Sequence, residues 1–598
     1  MTRKPHAAWI AAAVLPAVAL ALYWGTLRDP LVFDDLSLSR GALRGGIAPA
    51  SAGIGLRALS EASFGWIQAL FGANLAWQRL LNVLLHGAVG AALFGFLARL
   101  FEKVLGDSRA RGTAFLGALA FLLHPVAVYG VAYLAQRSIV MATLFSVLSL
   151  WCILEGLLRR SARWHAAGAA VYLLAVFSKE HAVMVPAVAA AMAVLVRGAS
   201  LETLRQFRLA FVLLAAVAAI VLYQARSLIG TAYEPFVAAV VGIHTDQTYA
   251  LSVLNQGYLF LRYLLTWLLP CPCWMSIDLR VPFPAQLLAW PQSAGFVAYL
   301  AYPLAAMVLL LRGGRLGLLG FGLLYPWLLA LTELAAVRAQ EPFVLYRSYL
   351  WMSGLPAILA ALTAGLAPRA RHAVLVVVCL ALVPPAWNRL DTFSDPLKLW
   401  DDAVRKNSDT SAPYVERAYI NRGELYRGAG RADAALADFE RAIALNPRQP
   451  GGYLGRATLR LSMGQPQEAL PDLDRAVALD ARHASAHAKR CITKIALKQP
   501  GVEALADCDK ALALDPADSE SWTFAGIAHQ YLGQADAAAL SYRRALELAP
   551  SDPVIHYNYG WLLLEQGRRD DSVRRHLAVA CAGGVPPACV ALRKAFGK

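Results

Sequence analysis

Long apolar segments fill the first two-thirds of the chain, and they constrain its fold more than any other feature of the sequence. A helix needs about 20 mostly apolar residues to cross the hydrocarbon core of a bilayer. We therefore predict a polytopic membrane helix bundle of about 11 to 12 spans. The candidate segments are 7–27, 76–99, 113–129, 138–158, 164–178, 181–196, 209–226, 251–270, 294–311, 316–332, 346–366 and 372–388.

The first segment resembles a signal peptide, because a charged MTRK start precedes its apolar run. No clear cleavage site of small residues follows, so we expect a retained anchor. The Lys and Arg of the short loops indicate the orientation, since cytoplasmic loops are enriched in them. With the N-terminus inside, the first three of five clusters lie inside directly. In chain order the five clusters are Arg99, Lys103, Arg109 and Arg111; Arg159, Arg160 and Arg163; Arg197, Arg205 and Arg208; Arg312 and Arg315; and Arg369 and Arg371.

The last two clusters also lie inside only if one segment between 226 and 294 does not cross. The weakest is 251–270, which contains Asn255, Gln256 and Arg262. We expect it to lie along the outer face or to re-enter from that face. Eleven spans then remain and the C-terminal half lies outside; if 251–270 does span, that half is cytoplasmic.

Composition excludes two classes of protein. Hydrophobic residues make up 58% of the chain and charged residues only 16%, against roughly 25% charged residues in soluble globular proteins. A wholly soluble chain and a disordered chain are therefore excluded. Residues 1–394 carry 29 Lys and Arg against 15 Asp and Glu, whereas residues 395–598 carry 27 against 25. The basic excess belongs to the apolar half, so we attribute it to cytoplasmic loops and predict no nucleic-acid partner.

A 34-residue period covers residues 416–586, which is the length of the tetratricopeptide repeat. Small residues recur where the two helices of a repeat cross, and aromatic residues recur beside them. Such repeats stack into an α-solenoid. The predicted all-α organisation is a transmembrane domain at 1–392, a linker at 393–412, five repeats at 413–586 and a capping helix at 587–598.

Arginine and aspartate recur together in the first three repeats. We predict ion pairs between the two helices of each repeat, with a structural role; an arginine ladder that binds an acidic partner is the alternative. In the fourth and fifth repeats both positions change together. The predicted pairs are Arg422 with Asp438, Arg456 with Asp472 and Arg490 with Asp507.

Four cysteines of the repeat half allow two interpretations. Cys491 and Cys508 neighbour one of these ion pairs, and Cys581 and Cys589 flank a GGVPP turn. They are either small buried hydrophobic residues or disulfides formed in an oxidising periplasm, and disulfides would support the outside placement. The segment Cys271-Pro-Cys273 is too short for an easy bridge.

Charged residues collect on the predicted outer surface of the membrane half. Asp34 and Asp35 follow the first span, where two adjacent carboxylates are costly unless they are solvated, metal-bound or functional. Each charged residue alone has an ordinary explanation, such as an interfacial Arg or Lys that reaches water. Together they place carboxylates and cations on one face. The others are His124, Arg137, Lys179, Glu180, His181, Asp278, Glu333, Glu341 and Arg347.

This mixture suits a lipid-linked phosphate substrate. Arg and Lys bind phosphate or diphosphate headgroups, and a carboxylate can act as general base on an acceptor hydroxyl. A cavity between helices can hold an isoprenoid tail. These residues alone do not distinguish a transferase from a flippase, a polymerase or a transporter. No metal-ligand cluster with diagnostic spacing is present, so the sequence leaves a divalent metal open and implies no other cofactor.

Five sequence blocks occur in order before the repeats: FDD, HPVAVYGVAYLAQRS, SKEHAVMVP, YLFLRYLLTWLLP with a later SID, and a glutamate followed by YRSYL. The series resembles a bacterial family of membrane glycosyltransferases of the GT-C superfamily. It is also similar to the eukaryotic transmembrane-and-tetratricopeptide protein O-mannosyltransferases. The resemblance implies inverting transfer from a polyprenyl-phosphate sugar. In those relatives the last block usually ends in YLP, where this chain has Tyr349-Leu350-Trp351.

The resemblance also implies roles for individual residues. An acid of the first outer loop is the catalytic base, which carries over to Asp34 or Asp35. Headgroup contacts carry over to His124, Arg137, Lys179 and Glu180. We expect Asp34 to be the base, with Asp35 orienting it or helping to hold a metal. Arg137 and Lys179 would neutralise the leaving phosphate with help from Arg347, and Asp278 and Glu341 are further candidates.

The expected function is therefore that of a glycosyltransferase of the bacterial inner membrane, facing the periplasm. It would move a sugar from polyprenyl phosphate to a protein or glycan acceptor, and the tetratricopeptide groove would recruit the acceptor or a partner protein. One alternative is a membrane-anchored tetratricopeptide scaffold for envelope assembly. Another is a surface-polysaccharide ligase or polymerase that uses a diphosphate-linked donor.

Overall fold

The computed structural model describes residues 6–35, 38, 55–72, 74–106, 110–227, 229–231 and 245–597, which contain 26 α-helices and no β-strand. The prediction of an all-α fold is therefore confirmed. The chain forms two compact units, Met1–Tyr414 and Val415–Lys598. Some features used in the sequence analysis lie outside the described residues: the MTRK start, Arg109, most of 36–54 and the stretch 232–244.

The first unit contains fifteen α-helices in the described residues. Short 3₁₀ helices separate several of them, notably Pro125–Ala127, Leu134–Gln136, Glu180–Met184, Leu331–Leu334, Leu345–Tyr349 and Trp351–Gly354. The α-helices are α1 (His6–Tyr23), α2 (Ala58–Phe71), α3 (Leu75–Leu105), α4 (Ala110–Leu123), α5 (Val128–Val131), α6 (Arg137–Arg159), α7 (Ala162–Ser178), α8 (Val185–Arg197), α9 (Leu201–Ala225), α10 (Thr245–Leu268), α11 (Gln292–Leu311), α12 (Gly314–Ala330), α13 (Leu355–Thr363), α14 (Pro368–Phe393) and α15 (Pro396–Lys406).

Eight helical segments of the described chain are long and apolar enough to cross a membrane. A ninth exists if α4 and the bent continuation Pro125–Val131 form one crossing. The segments are Ala11–Arg28, Leu75–Leu105, Leu134–Arg159, Glu180–Arg197, Leu201–Ala225, Gln292–Leu311, Gly314–Leu334 and Pro368–Phe393.

Three of the twelve segments expected from the sequence do not meet these criteria. The 17 residues of α7 span about 26 Å, which is short of the hydrocarbon thickness. Polar residues lower the hydropathy of α10, in keeping with its weak apolar pattern. The segment 346–366 is broken into two 3₁₀ turns before the nine-residue α13 begins. The expected 11 to 12 spans therefore include segments that the fold uses as short or broken helices.

The core of the first unit forms around α3, which packs against α1, α4 and α6. The close approach depends on small residues, because a Cβ atom at Gly90 of α3 would lie 2.6 Å from the side chain of Leu122 in α4. The expected linker 393–412 contains α15, whose Leu399 and Trp400 are buried. Asp402 of α15 accepts hydrogen bonds from Arg389 at 3.0 and 3.2 Å. This stretch is therefore folded as part of the first unit.

The second unit is a solenoid of five helix pairs followed by one helix. Small residues allow the two helices of a pair to approach closely. A Cβ at Gly526, for example, would lie 2.5 Å from the Tyr542 ring. The pairs are α16 (Glu416–Gly428) with α17 (Ala432–Leu445), α18 (Pro450–Ser462) with α19 (Pro466–Leu479), α20 (Ala484–Ala496) with α21 (Gly501–Leu514), α22 (Ser519–Tyr531) with α23 (Ala535–Leu548), and α24 (Pro553–Glu565) with α25 (Asp571–Ala582); α26 is Pro586–Phe596.

The three predicted arginine–aspartate pairs are confirmed, and each is bidentate. The distances are 2.8 and 2.7 Å for Arg422 and Asp438, 2.9 and 2.8 Å for Arg456 and Asp472, and 2.9 and 2.5 Å for Arg490 and Asp507. All three aspartates are buried, whereas the arginines remain partly exposed. The ion pairs therefore lock the first helix of each repeat to the second.

The structure joins the cysteines of the repeat unit as Cys491–Cys508 and Cys581–Cys589. Of the two interpretations open from the sequence, it favours the disulfides. It also joins Cys271 to Cys273, which the sequence analysis considered too close for an easy bridge. The correction has a simple reason, since the 3₁₀ turn Pro272–Trp274 brings the two Cα atoms to 5.2 Å.

Candidate functional site

The loop after α1 is held in place by the side chain of Asp35, which is fully buried. Its carboxylate accepts backbone hydrogen bonds from Ala135 at 2.7 Å, from Leu134 at 3.3 Å and from Val32 at 3.4 Å. Burial raises the pKa of Asp35 to about 6, although the three N–H groups oppose this rise. Asp35 therefore fastens its own loop to the 3₁₀ helix Leu134–Gln136 and thereby positions its neighbour Asp34.

Arg79 of α3 holds the same loop through backbone carbonyl groups. Its guanidinium donates to Asp29 at 3.1 Å, to Ala132 at 2.9 Å and to Pro30. Together with Asp35, this side chain fixes both the start of the loop and the segment that follows α5. The loop is thus ordered by buried polar contacts, which are costly to break.

Asp34, in contrast to Asp35, is exposed. Its backbone N–H donates to Tyr133 Oη at 3.2 Å. Burial raises the pKa of the Tyr133 phenol well above its usual value, and the Asp34 carboxylate adds to the rise. The adjacent carboxylates therefore have different environments, because one is enclosed by the fold and the other is presented at its surface beside a phenol.

Tyr346 connects Asp34 to the predicted cationic residues. Its ring lies 5.9 Å from the ring of Tyr133, 5.1 Å from Lys179 Nζ and 6.0 Å from the guanidinium carbon of Arg347. Burial raises the pKa of Tyr346 to about 12; the Asp34 carboxylate adds to the rise and Arg347 opposes it. The structure therefore gathers side chains from four of the sequence blocks around one aromatic ring.

Lys179 lies in the junction between α7 and the 3₁₀ helix Glu180–Met184, and its ammonium group is buried. It donates to Gln136 Oε1 at 3.1 Å and faces Ser138 Oγ at 3.5 Å. Burial lowers the pKa of Lys179 to about 7, and the positive charge of Arg57 lowers it further. Its hydrogen-bond partners are neutral, so the ammonium is suited to pairing with an anion that enters the site.

Arg347 belongs to a network of buried charges. Its guanidinium lies 3.3 Å from Glu333 Oε2, donates to the Glu341 carbonyl at 2.8 Å and lies 3.5 Å from Glu341 Oε2. Glu333 also lies 2.9 Å from His181 Nε2 and 3.4 Å from Arg338. Burial lowers the pKa of Arg347, but Glu333 and its other anionic neighbours raise it above the ordinary value. Arg347 therefore keeps its charge.

Glu180 is engaged by a residue that the sequence analysis did not single out. Arg57, just before α2, reaches its carboxylate with two hydrogen bonds, at 2.6 and 3.1 Å. His181 Nδ1 lies 3.5 Å from the same carboxylate. Glu180 is thus one half of an ion pair at the edge of the cluster that Asp34, Tyr133, Lys179, Tyr346 and Arg347 form.

His124 and Arg137 lie inside the fold, away from any open surface. His124 is buried; its Nδ1 accepts from the backbone of Val126 at 3.2 Å and its Nε2 lies 3.1 Å from the carbonyl of Trp267. The rings of His124 and Trp267 stack at 4.4 Å. Both nitrogens are therefore occupied within the protein.

Arg137 is fully buried, and all its polar partners are neutral. It donates to Asn82 at 2.7 Å, to Ser63 at 3.2 Å and to both oxygens of Gln78 at 2.8 Å, and its guanidinium lies 3.7 Å from the centre of the Phe64 ring. The headgroup contacts expected of His124 and Arg137 stay a prediction, and the structure gives both side chains internal partners.

Asp278 is also engaged within the protein. Its carboxylate forms a buried ion pair with Arg280, and its carbonyl accepts from Asn407 at 2.7 Å. Arg280 donates to the carbonyl of Gln340 as well. These contacts fasten the segment after α10 to the end of α15 and to the loop before Arg347. Asp278 therefore supports the segment after α10, whereas Glu341 contacts Arg347 directly.

An apolar groove of about 550 Å³ lies beside the cluster, between α10, α12 and α13. Its lining includes Tyr263 and Trp267 of α10, and Ser348 and Trp351 just after Arg347. A smaller cavity of about 200 Å³ shares Tyr263 and Trp351 with the groove and is also lined by Glu333. The groove therefore leads from an apolar wall to the charged network.

Several residues of the cluster were not identified from the sequence. Tyr133 and Tyr346 were inside recognised blocks, but aromatic residues are common in membrane helices and gave no separate signal. Arg57 and Arg79 lie in or beside a segment between α1 and α3 that has no recognised motif. Within the described residues, no group of three or more His, Cys, Asp or Glu side chains is placed to hold a metal ion.

Two family models of the tetratricopeptide repeat match the chain, over residues 416–449 and 525–584. No curated protein sequence matches it significantly. Among solved structures, TTC0263, a thermophilic tetratricopeptide protein of Thermus thermophilus, is 26% identical over 31% of this chain and 100% of its own, with a TM-score of 0.28. PilF of Pseudomonas aeruginosa is 20% identical over 30% of this chain and 84% of its own, with a TM-score of 0.27.

YrrB, described as a tetratricopeptide protein with an unusual peptide-binding site, is 20% identical over 33% of this chain and 98% of its own, with a TM-score of 0.25. These likenesses fall on the repeat half of the chain. From the two family matches and the helix pairs of the second unit, we conclude that the chain carries tetratricopeptide repeats and several helices apolar enough to span a membrane.

Proposed function

We propose that this chain is an integral membrane glycosyltransferase that transfers a sugar from a polyprenyl-phosphate donor to a protein or glycan acceptor. One observation carries the proposal: the exposed carboxylate of Asp34 lies beside the Tyr133–Tyr346 ring pair, and Lys179 and Arg347 lie on the same ring of Tyr346. A base and two phosphate-binding cations thus share one small region. The ordered series of sequence blocks supports the same assignment.

In the proposed reaction, Asp34 removes the proton from an acceptor hydroxyl as its oxygen attacks the anomeric carbon of the sugar. The bond between that carbon and the phosphate oxygen breaks, and the phosphate leaves with the bonding electron pair. Lys179 and Arg347 stabilise the negative charge that develops on the phosphate. Attack opposite the leaving group inverts the anomeric centre. Asp35 acts as a positioning residue, because its carboxylate is bound to backbone N–H groups.

The apolar groove would hold the first isoprene units of the donor. It opens beside Ser348, which follows Arg347 in the chain, so a phosphate on the arginine would place its tail at the groove. In this proposal Arg137 and His124 shape the site from inside, as their internal hydrogen bonds favour. Glu180 orders the rim through Arg57.

The periplasmic face of the inner membrane is the proposed side of the reaction. Disulfides persist in oxidising compartments, and the two bridges of the repeat unit therefore favour that side. Tetratricopeptide solenoids present extended concave surfaces to proteins, so the repeats would recruit the acceptor or a partner. A surface-polysaccharide ligase or polymerase and a membrane-anchored scaffold remain the competing functions for the test.

The test compares the glycoproteome of the native host in four strains: a deletion and the deletion complemented with wild type, Asp34→Asn or Asp391→Asn at equal expression. Asp391 is an exposed carboxylate of the same unit, paired with Lys398, and serves as the matched control. We expect a specific modification to be lost in the deletion and to return with wild type and D391N only. Equal restoration by D34N would refute the assignment and favour the scaffold function. Long polymers in place of single sugars would favour the polymerase.

A further inference from the structure

The two faces of α10 border different openings. Phe260, Tyr263 and Trp267 line the apolar groove of the proposed donor site. With 100° between successive residues of a helix, Arg262 and Leu265 lie on the opposite face. That face borders a second, open cleft of about 670 Å³, which is lined by Tyr258, Leu261, Arg262, Leu265, Thr266 and Trp274. The cleft is therefore separate from the donor groove.

Arg262 is half-buried in this cleft. Within the described part of the chain its guanidinium makes neither a hydrogen bond nor an ion pair, and its carbon lies over the Phe343 ring, at 4.9 Å from the ring centre. A half-buried cation whose neighbours are aromatic, apolar or hydroxyl side chains carries an electrostatic cost that an anion would relieve. Two other arginines near the outer loops, Arg57 and Arg347, have carboxylate partners.

The surroundings of the cleft are those of a membrane surface. Leu265 is about half-exposed, Leu261 is partly exposed, and Trp274 stands at the edge. The cleft also adjoins a membrane helix, since α10 packs closely on α11, where a Cβ at Gly295 would lie 2.6 Å from the Tyr258 ring. Arg262 lies about 9 Å along the helix from the last residue of α10, near the end from which the outer segment continues.

We propose that this cleft binds the phosphate of one anionic membrane phospholipid. The planar guanidinium of Arg262 pairs with the phosphate oxygens, for which Arg is geometrically suited. The acyl chains lie along Leu261 and Leu265 of α10, and the Trp274 ring lies at headgroup depth, where tryptophan is enriched in membrane proteins. The lipid supplies the missing counter-charge and fastens α10, whose other face forms the donor groove.

The full chain, purified in detergent, can be titrated with phosphatidylglycerol or with phosphatidylcholine of the same acyl chains, and bound lipid counted by native mass spectrometry. We expect wild type to retain one phosphatidylglycerol that phosphatidylcholine does not replace. Arg262→Gln should weaken this binding about tenfold or more. Arg208→Gln removes the same charge from an exposed position of α9 and should leave binding unchanged.

A second variant keeps the net charge and tests the cleft itself. Leu265 is exposed, so Leu265→Trp fills the cleft without disturbing the core, and we expect it to displace the lipid as well. If R262Q does not fold, lipid binding by L265W decides whether the cleft is the binding site. Wild-type affinity in either variant, equal retention of phosphatidylcholine, or displacement of the lipid by an equal concentration of inorganic phosphate would each overturn the proposal. None of these readouts depends on glycosyl transfer.

Discussion

Asp35 and Ala135 stand 100 positions apart in the chain, and the carboxylate of the first accepts the backbone N–H of the second at 2.7 Å. This bond joins the loop after α1 to the 3₁₀ helix before α6. The two neighbouring acids therefore have different environments, since Asp35 is enclosed by the fold and Asp34 is exposed.

Asp35→Asn should destabilise the membrane unit, whereas Asp34→Asn should not. In D35N an amide group replaces a carboxylate oxygen that accepts backbone N–H bonds, so a donor faces a donor. The free energy of unfolding should fall by about 1–3 kcal/mol. Thermal unfolding of the two purified variants in the same detergent measures the difference. Equal melting temperatures would show that the Asp35 bonds do not hold the loop.

Binding of the donor should weaken as the pH rises through 7. Burial lowers the pKa of Lys179 to about 7, so its ammonium is charged below that pH and loses its proton above it. A polyprenyl phosphodiester keeps its own charge across this range, and we expect its affinity to fall about tenfold between pH 6 and pH 8.5. Lys179→Arg keeps a positive charge and should remove the dependence. Identical pH profiles for K179R and wild type would contradict the role of Lys179.

Asp507 should contribute more to the solenoid than Asp438. Its carboxylate faces three cationic or ionisable groups: Arg490 at 2.5 and 2.9 Å, Lys494 at 2.8 Å and His487 at 3.1 Å. Burial raises the pKa of Asp507, but these partners lower it below its usual value overall, so its contribution is present at neutral pH and is lost as the pH falls below about 4.

Asp507→Asn should therefore cost about 2 kcal/mol in the local opening of α20 and α21, and Asp438→Asn about 1 kcal/mol in α16 and α17. Hydrogen exchange of the full chain resolves the two repeats separately. If D438N reduced the protection of its repeat more than D507N reduces that of its own, the extra cations around Asp507 would add no stability.

The fifth repeat should be sensitive to acid. The Nδ1 atoms of His556 and His576 lie 2.7 Å apart, and burial, followed by the charge of His556, lowers the pKa of His576 to about 4. An unfolded histidine takes its proton near pH 6.5, so the stability of α24 and α25 should fall as the pH drops from about 6.5 to 4.

His576→Gln should reduce this loss, whereas His529→Gln, at a histidine that contacts Gln534 in the fourth repeat, should not. Limited proteolysis at pH 7.5 and pH 5 measures the effect through cleavage within residues 553–582. Cleavage that does not change with pH in wild type would refute the expectation.

The repeat unit could be predicted in detail because its geometry is local and periodic. Arg490 and Asp507 are only 17 positions apart, and the same spacing of helices recurs in each repeat. An arginine and an aspartate that recur at the same repeat positions were therefore expected to form the same ion pair in each repeat. The predicted ion pairs were confirmed for that reason. Membrane segments were identified by length and hydropathy, but α13 shows that these two properties do not reveal where a segment breaks.

The membrane site could be predicted only as a group of blocks. Asp34 and Asp35 are identical in type and adjacent, and only the distant Ala135 distinguishes their roles. Arg137 was expected to face the phosphate, but Gln78 and Asn82 of α3 enclose it, and nothing in the local sequence identifies those partners. The arrangement of the site comes from contacts between segments far apart in the chain, which spacing alone does not encode.

Arg137 and Lys179 are both buried cations whose hydrogen-bond partners in the described chain are neutral. An interior that holds such charges is least stable when empty. Under the proposed function, a bound phosphodiester would lower that cost, and the monophosphate left after sugar transfer, with its greater charge, would lower it further. We therefore expect escape of the spent carrier to be the slow event of the cycle, so that turnover is governed by how quickly fresh carrier displaces the old.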